Sequence, residues 1–365
     1  MVMQKVDGDD LCRTNANRNQ GELQYILDSG FHCYDESRIF YKFINFEIGL
    51  HKIMNPRNTV IVITYNQDNL IGRALESVLC QKDLVYEIIV SDDCSSDSTW
   101  TVIDSYAKKY PDLIKPIRNE VNLGIFAHIE ATWARASGDI IYYLSGDDVF
   151  CDGLFNRANK LIKKYNIDFI NEAFTLYFDY KLITPTGEES IFRNNLVERY
   201  NPVSLKIRQL ISNRTTGVSK KVLDKYYPVR KDIGIYADGL IDIQTQLFSD
   251  KNYYDRFIGS VYYAGIGISA RTLREEHVKS YILSLEQLKC DINNISKEDE
   301  DWLNYLQIQL KYSLSPTVKI YKLYAKYFFV IFRKFYGLRF IKREVRHFII
   351  ATVRLLYFYG KAVTK

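Results

Sequence analysis

Two pairs of adjacent carboxylates could carry chemistry: Asp92-Asp93 in EIIVSDDCSSDST and Asp147-Asp148 in LSGDDVF. Neighbouring carboxylates repel, and neither pair has a base beside it in sequence. A divalent cation resolves that conflict. Hard carboxylate oxygens suit Mg²⁺ or Mn²⁺, and the ion's remaining positions can take diphosphate oxygens. The bland alternatives are a solvated acidic turn at Asp147-Asp148 and a helix-capping cluster after Asp92-Asp93, where Asp97 and Ser98 have the chemistry of an N-cap. What separates these readings is where the chain places the pairs.

Between residues 59 and 165, short β-branched runs alternate with helical patterns. TVIVIT (59–64), EIIVS (87–91), LIKPIR (113–118) and IIYYL (140–144) read as strands. Helical patterns run over 70–79, from Asp97 or Ser98 to about 109, over 125–136 and over 153–165. Such alternation builds an α/β layer with a mostly parallel sheet, because parallel neighbours need crossover connections. Sheets of this kind bind ligands at the carboxyl edge of their strands. Thr64, Tyr65 and Asn66 stand at the end of the first strand, and Asp92 and Asp93 follow the second. Asn122 and Gly124 follow the third, and Ser145, Gly146, Asp147 and Asp148 the fourth. Four loops thus bring aromatic, amide and carboxylate groups to one rim.

Together, VIVITYNQDNLIGRALESVLCQ, EIIVSDDCSSDST, NLG, ARASGD and LSGDDVF, in this order and spacing, resemble the nucleotide-binding half of family 2 glycosyltransferases with the GT-A fold. The likeness is strong over residues 59–161 and weaker to about 269. It implies an inverting transferase using a nucleoside-diphosphate sugar, a UDP-sugar by preference, with Mg²⁺ or Mn²⁺. It implies that Thr64 and Tyr65 border the nucleobase, with the Tyr65 ring stacking, and that Asp93 binds its edge. Asp148 is implied as the metal ligand and Asp147 as a sugar or ribose contact, with Asn66, Asp92, Asn122 and Gly124 completing the donor site. In YADGLIDIQTQLF (236–248), Asp238 falls where the family carries its catalytic base, and Ala237 stands where an acid is more common. Asp242, one helical turn on, is the fallback, and simple helix capping is the structural alternative for Asp238. Two positions depart from the pattern. YYAGIGIS (262–269) has no His where relatives carry one, and His128 and Glu130 replace Ala and Asn. His128 reads as a surface or packing residue, not a ligand.

The chain divides by pattern into an N-terminal extension with one helix (1–56), a nucleotide-sugar half (57–165), an acceptor half (166–275), a helical segment (276–315) and a basic tail (316–365). In the acceptor half, helices are expected near 203–211 and over 239–249, and a strand over 261–265. In the helical segment, residues 278–293 lead through the acidic EDED (298–301) to a helix over 302–312. The six cysteines form no CxxC pair, and no apolar signal follows Met1, so reduced thiols in a cytoplasmic protein are expected.

The overall charge of +5 hides an asymmetry. Residues 316–365 carry twelve Lys or Arg against Glu344 alone, so the preceding chain is net acidic. Ile320, Leu323, Tyr324, Tyr327, Phe328, Ile331, Phe335 and Leu338 form one helical stripe beside Lys319, Lys322, Lys326 and Arg333, and the pattern repeats from Ile341 to Tyr359. Basic amphipathic helices suit an anionic membrane surface, at roughly 1 kcal/mol per base. The protein would then sit peripherally on the inner face of the plasma membrane, beside a saccharide or lipid-linked acceptor. Packing of the stripe on the catalytic domain, or against a second copy in a homodimer, is the alternative. No nucleic-acid recognition motif accompanies the charge.

A second functional reading is a non-catalytic nucleotide-binding or scaffolding subunit, favoured by Ala237 and the missing His. A nucleotidyltransferase would need a Gly- and Lys-rich phosphate loop after the first strand, and ITYNQDN has none.

Overall fold

The computed structural model describes residues 55–193, 215–226, 228–230, 232–233, 238–266, 274–291, 296–335, 344–353 and 355. The helix expected in the N-terminal extension and that near 203–211 lie outside them.

The strands β1 (Asn58–Thr64), β2 (Glu87–Asp92), β3 (Ile114–Arg118) and β4 (Ile140–Ser145) are all parallel, with β1 between β2 and β4 and β3 outside β2. The connecting helices are α1 (Ile71–Leu79), α2 (Thr99–Lys109) and α3 (Ile125–Trp133). Helix α3 stops three residues earlier than its apolar pattern, whose last member, Ala136, is buried from the following turn. After β4 come the short β5 (Val149–Phe150) and α4 (Leu154–Tyr165). Residues along β1 alternate between two cores, as the twofold period of a strand requires. Val60 and Val62 join Leu75, Ile103 and Phe155 on one face, while Ile61 and Ile63 join Phe126, Ile129, Leu240 and Leu285 on the other. Burial on both faces explains why TVIVIT is apolar throughout.

The second half of the sheet is mixed. It contains β6 (Phe174–Ile183), β7 (Glu189–Phe192), β8 (Thr216–Ser219) and β9 (Lys251–Tyr263). The order across the described sheet is β3-β2-β1-β4-β8-β6-β9-β5, with β7 paired to β6. β8 is antiparallel to both β4 and β6, whereas β6 and β9 run parallel. The ten-residue β6, FTLYFDYKLI, is not foreseen in the sequence. Its first seven residues are all buried, so it shows a nearly continuous apolar run with no alternation to mark it. β9 is a thirteen-residue strand, of which only the end is expected.

The helices of this half are α5 (Lys220–Leu223), α6 (Asp238–Phe248), α7 (Arg274–Asp291), α8 (Lys297–Leu314) and α9 (Val318–Phe335), with residues 344–353 helical as well. The EDED segment is not a link between helices: it lies inside the amino-terminal end of α8, which begins at Lys297. The tail also differs from a freely amphipathic pair. Tyr324, Phe328 and Ile331 are buried against Trp302, Tyr305 and Tyr312 of α8 and against Ala351. Phe328 stacks on Phe348 at a centroid distance of 4.1 Å. Most of the described part of the apolar stripe is therefore the core of a small helical bundle with α8 and residues 344–353. Among the described residues, no helix is long and apolar enough to cross a membrane.

Candidate functional site

Parallel strands β1 to β4 place their carboxyl ends side by side, and the loops there are stitched to one another. Thr64 is buried. Its hydroxyl donates to Gln67 Oε1 at 2.8 Å, and its carbonyl accepts the Asp93 N–H at 3.0 Å. Asn66 adopts a φ of +51°, a left-handed conformation that Asn tolerates. Its N–H donates to Ser95 Oγ and its Oδ1 accepts the Ser96 N–H, each at 2.8 Å. The loop after β1 is thereby fastened to the loop after β2, and Tyr65 between them keeps an exposed ring.

The two acids of the first pair do different things. Asp92 is fully buried and holds its own loop: the Ser95 N–H and hydroxyl donate to it, and Arg118 Nε lies 3.4 Å from Oδ2. Asp93 is also buried and holds the loop after β3. Its Oδ1 accepts from Asn119 Nδ2 at 2.8 Å and from the Leu123 N–H at 2.9 Å, while Oδ2 accepts the Gly124 N–H at 3.0 Å. That Gly124 N–H is shared with Asn122 Oδ1, also at 3.0 Å. Gly124 has a φ of +78°, which only glycine adopts without strain. A carboxylate oxygen has two lone pairs, so Oδ1 is fully used and Oδ2 keeps one position for a further donor. Asp97, rather than Ser98, makes the capping bond, accepting the Thr99 N–H at 2.9 Å.

Asp147 and Asp148 lie in the turn between β4 and β5, both largely buried. The turn is drawn against β1 by the Gly146 N–H, which donates to the Ile63 carbonyl at 2.9 Å. A Cβ at Gly146 would stand 2.5 Å from Gln67 Oε1 and 2.9 Å from Thr64 Oγ1. Gly146→Ala should therefore push the 64–67 loop outward and lower stability by about 1–3 kcal/mol, read as a shift in the urea midpoint. An unchanged midpoint would show that the loop yields freely and that the close approach is not constraining.

Asp148 Oδ1 accepts the Tyr263 N–H at the end of β9, at 3.1 Å. Arg73 links the same two segments: its Nη2 donates to the Asp147 carbonyl at 2.6 Å, and its guanidinium lies 3.8 Å from the centre of the Tyr263 ring. Neither Arg73 nor Tyr263 stands out in the sequence. The available signal was a base in the first turn of α1, against the preference of the helix dipole.

As a donor set, Asp147 and Asp148 fit a hard dication. Among the described residues, no group of three or more His, Cys, Asp or Glu gathers to hold a metal. Mg²⁺ is commonly held by one or two carboxylates with substrate phosphates and water at its other positions, so two acids on a rim suffice.

Contacts among the described residues join Thr64, Asn66, Asp92, Asp93, Asn122 and Gly124 into one cluster, with Asp147 and Asp148 tied to it through Gly146. Asp238 is the first residue of α6, and its side chain lies outside the described residues. Burial first, and the Asp242 charge in addition, push the Tyr177 phenol well above its ordinary pKa. His128 is a packing residue, not a surface one. Its Nε2 lies 2.6 Å from Ser91 Oγ, and burial holds its pKa below the ordinary value against the raising charges of Asp93 and Asp92. Glu130 accepts the Val229 N–H at 2.6 Å, a structural contact.

Residues 59–225 match the profile of the family described as glycosyl transferase family 2. An Escherichia coli UDP-Glc:alpha-D-GlcNAc-diphosphoundecaprenol beta-1,3-glucosyltransferase is 27% identical over 168 residues, covering 46% of this chain and 60% of the relative. A Campylobacter jejuni GalNAc(5)-diNAcBac-PP-undecaprenol beta-1,3-glucosyltransferase is 34% identical over 110 residues, covering 29% and 35%. An uncharacterized Mycobacterium tuberculosis protein is 34% identical over 106 residues, covering 29% of this chain and 30% of the relative. The chain thus spans about a third to three-fifths of the length of these relatives. Staphylococcus aureus TarS, residues 1–349, superposes with a TM-score of 0.56 at 16% identity, covering 83% of this chain and 92% of TarS 1–349, a likeness of fold. The profile match and the likeness of fold agree: residues 59–225 form a family 2 glycosyltransferase domain within a GT-A fold.

Proposed function

We propose that the protein is an inverting glycosyltransferase that moves a sugar from a UDP-sugar to a saccharide or lipid-linked acceptor in cell-surface glycan synthesis. The observation that carries this reading is the single rim where the Asp93 N–H bonds the Thr64 carbonyl and the Gly146 N–H, beside Asp147 and Asp148, bonds the neighbouring Ile63 carbonyl. The Tyr65 ring offers a stacking face for a uracil, and Asp93 Oδ2 keeps one acceptor position for its N–H. Asp147 and Asp148 would hold Mg²⁺ or Mn²⁺, which supplies Lewis-acid stabilisation of the departing diphosphate. Relatives named for glucosyl transfer to diphosphoundecaprenol-linked saccharides support an acceptor of that class, and TarS 1–349 has been crystallised with UDP-GlcNAc.

In the reaction, the acceptor oxygen bonds to the anomeric carbon as the bond from that carbon to the diphosphate oxygen breaks on the opposite face. Asp238 takes the proton of the acceptor hydroxyl. One displacement inverts the anomeric centre, so no covalent sugar–enzyme bond forms.

The test is a panel of nucleoside-diphosphate sugars with Mn²⁺, scored first by thermal protection and then by nucleoside-diphosphate release with lipid-linked acceptors. A ligand present at 100 times its Kd stabilises the folded state by about 2.7 kcal/mol, a readily measured rise in Tm. Protection by a UDP-sugar with acceptor-dependent release supports the transferase. Protection without release on every acceptor would favour the scaffolding subunit, and no protection by any member would overturn the donor site.

A further inference from the structure

The faces of the C-terminal helices that are not packed inward differ in kind from an ordinary solvated surface. On α9 the exposed residues, among the described side chains, are Lys319, Lys322, Leu323, Lys326, Phe329 and Arg333. Their spacing of three and four puts them on one stripe of the helix. Across the seam, Phe329 meets Phe348 with ring centroids 5.7 Å apart, although Phe329 itself is 59% exposed. Residues 344–353 expose Arg346, His347, Ile349, Ile350 and Val353. The two faces together carry five Lys or Arg, one His and five large apolar side chains.

They carry no acid. Glu344, the only acid in residues 316–365, is turned into the bundle, where it is 2% exposed and accepts the Tyr305 hydroxyl at 2.8 Å. The inward stripe is satisfied by packing, so the outward one owes nothing to the fold. We infer that the outer faces of α9 and residues 344–353 form a docking surface for an anionic lipid bilayer. Bases at the edge of the apolar groups pair with lipid phosphates while Leu323, Phe329, Ile349, Ile350 and Val353 enter the acyl boundary. Charge complementarity selects this occupant. A twofold contact with a second copy would set basic stripe against basic stripe, and a purely electrostatic partner would leave five apolar side chains in water. The inference rests on the proposed function only for its purpose, a lipid-linked acceptor, because binding is read without donor or turnover.

The test is co-sedimentation of the full chain with phosphatidylcholine vesicles, with and without phosphatidylglycerol, at about 0.1 M and about 1 M salt. One variant combines Lys319→Gln, Lys322→Gln, Lys326→Gln and Arg333→Gln; a second combines Phe329→Ser, Ile349→Ser and Val353→Ser. Unchanged circular dichroism and Tm show that each is folded, as substitutions at exposed sites should leave them. The parent chain should bind the phosphatidylglycerol vesicles and lose binding at high salt. At roughly fivefold per base, the first variant, which lacks four bases, should bind on the order of 10³-fold more weakly, and the second should also weaken. Equal binding by folded variants would overturn the proposal. So would a lipid-free dimer that both variants dissociate with no change in vesicle binding, since the face would then be an interface between copies.

Discussion

Asp148→Asn is expected to lower metal-dependent transfer by about 10²–10³-fold, the scale on which one well-placed electrostatic group acts at a reacting centre, while the fold survives. The structural reason for choosing Asn over Ala is the Tyr263 N–H, which donates to Asp148 Oδ1 at 3.1 Å. An amide oxygen can accept that bond, so the end of β9 stays attached and only the charge is lost. The same substitution should raise the Mn²⁺ concentration needed for half-maximal donor binding, read by protection against heat. Turnover at the parental rate with unchanged metal dependence would remove Asp148 from the site. A loss of Tm matching the loss of activity would instead assign it a structural role. Arg73→Lys offers a comparison: the guanidinium that lies on the Tyr263 ring and donates to the Asp147 carbonyl is replaced by a group with a different geometry, and the acids themselves are retained.

Asp238→Asn should reduce transfer by about 10²–10⁴-fold, the contribution typical of a general base, with donor protection unchanged. The carboxylate is asked to take a proton only in the transition state, so kcat should fall and the donor KM should hold. Asp242→Asn is the discriminating control. Asp242 stands one helical turn after Asp238 on α6, so a base at Asp238 predicts that its removal leaves kcat near the parental value. If Asp242→Asn abolished transfer and Asp238→Asn did not, the base would be reassigned one helical turn along α6. If neither changed kcat, the proton acceptor would lie elsewhere.

The first half of the fold is legible because its physics is local. TVIVIT, EIIVS and IIYYL are buried on both faces, and helices with regular apolar spacing follow them, so strand, helix and rim can be read from the order of residues alone. The second half is less legible because its strands depend on distant partners. β8 is a four-residue strand wedged between β4 and β6, and β9 pairs with β6 across more than seventy residues of chain. Local sequence carries little of that pairing. The tail shows the same limit. Its helical spacing is plain, but which stripe faces inward depends on Trp302, Tyr305 and Tyr312 of another helix.

By itself, the sequence determined that acids, an amide and an aromatic ring stand at the ends of four neighbouring strands, because the βα alternation assigns each loop to the same edge. Only the tertiary structure decided what each group does there. It committed Asp92 to its own loop, divided Asp93 between Asn119, Leu123 and Gly124, and brought Tyr263 and Arg73 from β9 and α1 to the acidic turn. Spacing along a chain fixes which side of an element a residue occupies. Which donor reaches a given oxygen depends on segments that meet only when the sheet is assembled.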